Sequence, residues 1–321
     1  MKVLDVIILV VLLGLLGAAL YLFYINLPGE SIQFIVKNEQ NNSKIIVGNE
    51  NVSSSRSKQF YSNMRFPDRE ITYLVEDECN LDKQRQVLRA FDIIDEMTTL
   101  DFRQVLNNPQ IIVTCSEIAP EPENKGHFIA GEGGPTQIIN TSLYSVILEG
   151  KISLFRPEKC ERPNIALHEI LHVLGFDHNN NPKSILYPTL DCSQQIDNYF
   201  IDAINILYDS PGLADLKVSE VNAEKAGRYL DFEIKIINQG LNVAKSSSLR
   251  VFADGEIVKF EGGKESFDLG EIEIGTTKIL TVENARIGRS ANEVIFIVDQ
   301  ENNVDELFED NNEIILDLTG N

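Results

Sequence analysis

The sequence predicts an α+β domain followed by an all-β domain, with a membrane-spanning helix in front of both. Three observations support this expectation. An uncharged apolar run lies near the amino terminus, helical periodicity and strand-like runs mix in the middle of the chain, and only short strands and turns follow Pro211. At 321 residues the chain is long enough for about two domains, each with its own core.

The apolar run extends from Val6 to Ile25 and contains no charged residue. As a helix, these 20 residues reach about 30 Å, the thickness of a bilayer core. A buried core helix is the alternative, but no polar face interrupts the run. Lys2 precedes the run and the next basic residue is Lys37, which favours an amino terminus inside the cell. We therefore expect a single-pass cell-membrane protein whose remaining chain is extracellular.

We divide the chain into four parts. Residues 1–27 are the transmembrane anchor, and residues 28–62, rich in Asn, Ser and Lys, are a spacer between the membrane and the next domain. Residues 63–210 contain a long amphipathic helix from Asp82 to Leu100, further helices and strands, and therefore form the α+β domain. Residues 211–321 alternate short strands with turns, as in a small antiparallel, immunoglobulin-like sandwich.

The cysteine pattern agrees with an oxidising compartment. Cys79, Cys115, Cys160 and Cys192 show no C-x-x-C spacing, which favours two structural disulfides over a thiolate metal site. Three pairings are possible in principle. We favour Cys79 with Cys115 and Cys160 with Cys192, because the second pair would bracket the histidine cluster of the α+β domain.

Three of the four histidines lie in the segment HEILHVLGFDH, residues 168–178. His168 and His172 are four residues apart, so a helix places both imidazoles on one face. Gly175 allows the chain to leave the helix with a positive φ, and this turn brings His178 round as a third ligand. Three neutral imidazoles suit one zinc ion and leave its fourth position open for water.

Glu169 lies beside the first of these ligands. Its position suits accepting a proton from that water better than binding the metal. The alternative is a set of helical histidines without a metal. This alternative is disfavoured because three imidazoles so close together would be costly to leave unliganded or charged.

The motif His-Glu-x-x-His-x-x-Gly-x-x-His resembles that of the metzincin clan of zinc endopeptidases, and the surrounding chain is similar to their matrixin branch. Residues 184–188 resemble the Met-turn that lies beneath the metal in these enzymes, with Leu186 where the family has Met. Arg65-Phe66-Pro67-Asp68 is a further matrixin-like feature. The resemblance covers residues 63 to 208 and implies a metzincin-type metalloprotease domain.

The resemblance implies a zinc-dependent endopeptidase that acts on peptides or proteins. Animal matrixins hold a structural zinc through several more histidines, and only His127 is left here, so we expect one catalytic zinc. Two alternatives are a surface adhesion or binding protein that retains a non-proteolytic zincin fold, and a metal-dependent hydrolase of other substrates. Glu169 argues against the binding protein, which has no use for a base at that position.

From about Ala214 the chain resembles the CARDB family of extracellular prokaryotic sandwiches. The resemblance rests on Asp215-Leu216, Asn238-Gln239-Gly240, Asp254-Gly255, Val298-Asp299 and residues 309–312. It implies adhesion or attachment to a surface enzyme, and hence a cell-surface ligand as a further partner. The acidic run from 299 to 312 lacks the glycine and the spacing of an EF-hand loop, so we interpret it as a turn-rich edge.

Charge excludes one class of partner. The whole chain has 28 Lys and Arg against 49 Asp and Glu, a net charge of −21. After Pro211 the count is 11 against 22, a net charge of −11. A surface that binds nucleic acid needs a basic face to displace counterions, so we expect no nucleic-acid partner. The acidity of the sandwich agrees equally well with a solvated surface and with a cation-binding role.

Overall fold

The computed structural model describes residues 3–26, 31–37, 59–121 and 129–319. Helix α1, Val3–Asn26, contains the predicted apolar run, and strand β1, Ser31–Lys37, follows it. Among the described residues, no helix is long and apolar enough to cross a membrane. The transmembrane anchor therefore stays a prediction.

Three helices share the core of the domain that contains the histidine motif: α2 (Leu81–Met97), α3 (Asn164–Val173) and α4 (Asn198–Leu207). The Asn80 side chain caps α2 by accepting a hydrogen bond from the Lys83 amide at 3.0 Å. In α3, every residue except Ile165 is buried, as expected of a helix that runs through the centre of a domain.

A six-stranded sheet supports these helices. Its order is β2-β7-β5-β3-β4, all in parallel pairs, and β6 pairs with β7 in the antiparallel direction. The strands are β2 (Met64–Arg65), β3 (Glu70–Val75), β4 (Asp101–Gln104), β5 (Ile111–Cys115), β6 (Gly131–Asn140) and β7 (Ser145–Leu154). The antiparallel strand β6 thus lies at the sheet edge, next to α3.

The carboxyl-terminal domain is a sandwich of two antiparallel sheets. One has the order β1-β8-β9-β13, and the other has the order β11-β10-β14-β15 with β12 also paired to β10. Their inner faces meet in a shared core, where the rings of Phe232 and Phe296 lie 5.0 Å apart. The strands are β8 (Leu216–Ala226), β9 (Tyr229–Asn238), β10 (Ala244–Ala253), β11 (Glu256–Ile257), β12 (Phe267–Ile272), β13 (Thr277–Arg286), β14 (Glu293–Val298) and β15 (Glu313–Asp317).

Strand β1 corrects the interpretation of residues 28–62 as a spacer only. It pairs with β8 over its full length, from Ser31 opposite Ala226 to Lys37 opposite Glu220. Its inward side chains, which include Phe34, pack against the sandwich core. The chain therefore contributes to the sandwich before it enters the α+β domain.

Candidate metal centre

The end of α3 is shaped by Gly175. Its φ is +93°, which favours glycine because other residues have a Cβ that clashes in this region. The Gly175 amide donates to the His172 carbonyl at 2.9 Å, and the Phe176 amide donates to the Leu171 carbonyl at 3.1 Å. This pair of hydrogen bonds ends a helix and reverses the chain. The reversal brings His178 back toward α3.

The Nε2 atoms of His168, His172 and His178 converge on one point. The first two are 3.0 Å apart, and that of His178 lies 3.2 Å from each of them. Ligands about 2.0–2.1 Å from a tetrahedral zinc ion lie roughly 3.3 Å from one another. The three nitrogens therefore fit zinc with little adjustment, and three imidazoles are a donor set that zinc accepts.

Backbone carbonyls hold the first two imidazoles in the form that binds a metal. Nδ1 of His168 lies 2.7 Å from the Ile185 carbonyl, and Nδ1 of His172 lies 2.7 Å from the Phe176 carbonyl. A proton on each Nδ1 donates to that carbonyl and leaves Nε2 unprotonated. Burial lowers the pKa of His168 to about 3 and that of His172 to about 4, so both rings are neutral near neutral pH. Burial also lowers the pKa of His178.

Glu169 is buried one residue beyond the first ligand. Burial, and then the negative charge of Glu132, raise the pKa of Glu169 to about 8. A hydrogen bond from the Gly133 amide acts in the opposite direction by stabilising the carboxylate. A raised pKa makes the carboxylate a stronger proton acceptor than an exposed glutamate.

Strand β6 approaches Glu169 so closely that glycine is required. A Cβ on Gly131 would come within 2.7 Å of the Glu169 carboxylate, and a Cβ on Gly133 within 2.4 Å of the Glu169 carbonyl oxygen. The sequence analysis did not identify these two residues as part of the site. The available signal was the alternation of glycines in a strand-like stretch shortly before the histidine motif.

The turn from Ser184 to Tyr187 lies beside the histidines. The Tyr187 amide donates to the Ser184 carbonyl at 3.1 Å, and Leu186 is fully buried. The Leu186 carbonyl accepts a hydrogen bond from the Asn179 amide at 2.9 Å. The turn is therefore tied to the chain immediately after His178.

Phe60 is a second neighbour of the site that the sequence analysis did not identify. Its ring lies 5.9 Å from that of His172 in a stacked arrangement, and its amide donates to the Gly175 carbonyl at 2.9 Å. The chain thus enters the domain across the end of α3. His127, in contrast, lies outside the described residues.

Comparison with known families agrees with this geometry. Residues 65–209 match the family described as Matrixin, and residues 213–315 match CARDB. The chain thus has a matrixin-like domain followed by a CARDB-like domain, and these are called the matrixin domain and the CARDB domain below. The matrixin match contains the three histidines, Glu169 and Leu186.

Two curated proteins are similar to about a third of the chain. Seminal metalloprotease 1 of Drosophila melanogaster is 30% identical over 118 residues, which are 36% of this chain and 41% of that protein. Macrophage metalloelastase of Oryctolagus cuniculus is 28% identical over 120 residues, 34% of this chain and 24% of that protein. The chain thus spans less than half the length of either relative.

Two of the solved structures similar to about a third of the chain are of the CARDB domain of the PF1109 protein from Pyrococcus furiosus. The crystal structure, in complex with di-metal ions, is 21% identical and covers 33% of this chain and 86% of its own, with a TM-score of 0.26. The solution structure is 22% identical and covers 33% and 93%, also with a TM-score of 0.26.

The matrixin domain has both disulfides that the sequence analysis favoured. Cys79 is bonded to Cys115, and Cys160 is bonded to Cys192. The second disulfide joins the chain before α3 to the chain after the Leu186 turn. It therefore encloses the whole histidine motif and the turn beside it in one covalent loop.

Leu186 stands where the resemblance to matrixins places Met. Because Leu and Met have similar volumes and are both apolar, we expect Leu186→Met to change unfolding free energy by less than about 1.5 kcal/mol. Zinc content should stay the same and the cleavage rate should change less than about threefold. Thermal unfolding, metal analysis and peptide cleavage on one preparation check this expectation. A large gain in activity would mean that the wild-type Leu impairs the site.

Proposed function

We propose that the chain is a zinc-dependent endopeptidase. The observation that carries this proposal is the convergence of three Nε2 atoms within 3.2 Å of one another, with the buried Glu169 immediately after the first of these histidines in α3. The matrixin family, and relatives named as a metalloprotease and a metalloelastase, support a zinc metalloprotease. A module that only binds a ligand would gain nothing from a buried base at this position.

Each part of the site has its own task in the proposed reaction. His168, His172 and His178 would hold zinc, which when bound supplies Lewis acidity toward a peptide carbonyl and a water molecule. Glu169 accepts a proton from the attacking water and then donates it to the leaving amine. The hydrogen bond from the Gly133 amide holds the Glu169 carboxylate in place before the first proton transfer.

We also propose that the enzyme is anchored in the cell membrane with its domains outside. The uncharged run from Val6 to Ile25 supports the anchor, and Lys2 before it supports an amino terminus inside. Two disulfides and no free cysteine among the described residues agree with an oxidising compartment. In this arrangement the CARDB domain is positioned to bind the substrate or a cell-surface ligand.

Metal analysis together with a cleavage assay tests the proposal. The detergent-solubilised full chain should contain one zinc per molecule and cleave members of a mixed peptide library. A strong zinc chelator should abolish cleavage, and added zinc should restore it, because the open coordination position is required for the reaction. Cleavage that persists after zinc is removed, or two tightly bound zinc ions per chain, would contradict the proposal.

A further inference from the structure

Strand β6 connects the candidate metal centre to the CARDB domain. At its beginning, Gly131 and Gly133 lie against Glu169. At its end, Ile139 and Asn140 meet the loop before β13, where a Cβ on Gly275 would come within 2.7 Å of the Ile139 side chain. One ten-residue strand therefore has the proposed general base at one end and the sandwich at the other.

The outer edge of β6 is available to an extended polypeptide. Among the described strands β6 pairs only with β7, so one row of its N–H and C=O groups faces away from the sheet. Antiparallel pairing is slightly more stable per residue than parallel pairing. Consider a substrate that pairs with β6 in the antiparallel direction and has its scissile bond at Glu169. The amino-terminal part of this substrate then extends toward the CARDB domain. From Gly133 to Asn140 the strand covers roughly 23 Å, or about seven substrate residues.

The CARDB domain is held at a defined position against this end of β6. Leu241 is fully buried against Tyr144 and Val146 of the matrixin domain, with Ile274 beside them. The Ser142 hydroxyl donates a hydrogen bond to the Gln239 side chain. Apolar packing and a polar contact together fix the distance between the metal centre and the loop before β13.

The charge of the loop before β13 indicates which side chains the amino-terminal flank of a substrate should have. Glu271 and Glu273 are exposed on either side of the buried Ile272, immediately before Gly275. The nearby Lys278 donates its ammonium hydrogen bond to the Leu269 carbonyl. The domain as a whole has 22 acidic against 11 basic residues. Basic side chains are therefore the complementary partners at this end of the cleft.

We infer that the CARDB domain extends the substrate cleft of the matrixin domain. Glu271 and Glu273 select polypeptides with basic residues about six to eight positions before the scissile bond. This inference rests on the proposed endopeptidase function, and it adds the substrate class and the residues that recognise it.

The test compares peptides that share one core sequence, chosen from the library members that the full chain cleaves. The core is extended on its amino-terminal side to about the eighth residue before the scissile bond, and this extension is either neutral or has lysines at about the seventh and eighth positions. A third peptide has the same basic extension on its carboxyl-terminal side. We expect the amino-terminal basic extension to raise kcat/KM about three- to tenfold over the neutral one, the range of two exposed ion pairs. The gain should shrink at high salt.

Matched charge-reversal variants test whether the gain in kcat/KM depends on the loop before β13. The double variant Glu271→Lys/Glu273→Lys should lose the gain and still cleave the core peptide at the wild-type rate. The control Glu256→Lys/Glu261→Lys changes the charge equally at the other end of β10, roughly 30 Å away, and should keep the gain. The inference is overturned if the basic extension gives no gain, if the carboxyl-terminal extension gives the same gain, or if the first variant retains it. A wild-type chain that cleaves no member of the peptide library would instead overturn the proposed function.

Discussion

Glu169→Gln should keep zinc and lose at least about a hundredfold in turnover. Gln has nearly the same size and leaves His168 and His172 in place, so the metal should remain bound at one ion per chain. An amide cannot accept the proton of the attacking water, and general-base catalysis contributes typically 10²–10⁴-fold. The loss should appear in kcat more than in KM, because the missing proton transfer belongs to the transition state.

Zinc content and cleavage rate must come from the same preparation, since a metal-free variant would be inactive for another reason. Glu161→Gln is a matched control, because it makes the same chemical change at an exposed position in the loop before α3. We expect this control to cleave within about twofold of the wild-type rate. A Glu169→Gln variant with full zinc and wild-type turnover would show that the assigned base is wrong.

Removing the disulfide around the metal centre should destabilise the matrixin domain strongly. Cys160 and Cys192 are 32 residues apart, and in the chain-entropy model a loop of this length stabilises the folded state by roughly 3 to 4 kcal/mol. The double variant Cys160→Ser/Cys192→Ser should therefore unfold at a clearly lower denaturant concentration. Zinc should also dissociate more readily, because the loop contains all three ligands and the Leu186 turn.

The other disulfide supplies the control. Cys79 and Cys115 are 36 residues apart, so Cys79→Ser/Cys115→Ser should cost nearly the same free energy of unfolding. That loop lies outside the histidine motif, so zinc affinity measured under folding conditions should stay close to wild type. Equal zinc affinity in the two double variants would contradict the role assigned to the Cys160–Cys192 loop. An unchanged unfolding midpoint would contradict the stability estimate.

The convergence of the three histidines could be predicted because its determinants are local in sequence. The spacing of His168 and His172 fixes one helical face, and Gly175 fixes the reversal that returns His178. Among three possible cysteine pairings, we favour the one in which Cys160 and Cys192 bracket this motif, and the structure confirms it. Alternation of apolar residues was sufficient to predict a β-sandwich after Pro211, because the period of side chains along a strand is two.

Other features depend on contacts between distant parts of the chain. The run IQFIVK alternates like a strand, but nothing in residues 28–62 indicates that its partner is β8, nearly two hundred residues later. The glycines of β6 alternate in the sequence, but only the close approach of Glu169 in the fold shows why they are required. Leu241 of the CARDB domain packs on Tyr144 of the matrixin domain. Hydrophobic periodicity within one domain does not predict such a contact with the other.

The pairing of β1 with β8 has a consequence for solubility. A chain shortened to residues 63–321 would retain the whole metal motif and all four cysteines but would leave β8 as an uncovered edge. Edge strands with free N–H and C=O groups template the addition of further strands, and β8 is 11 residues long. Such a shortened chain is therefore expected to associate through its sandwich, and adding a synthetic peptide of residues 31–37 should suppress that association.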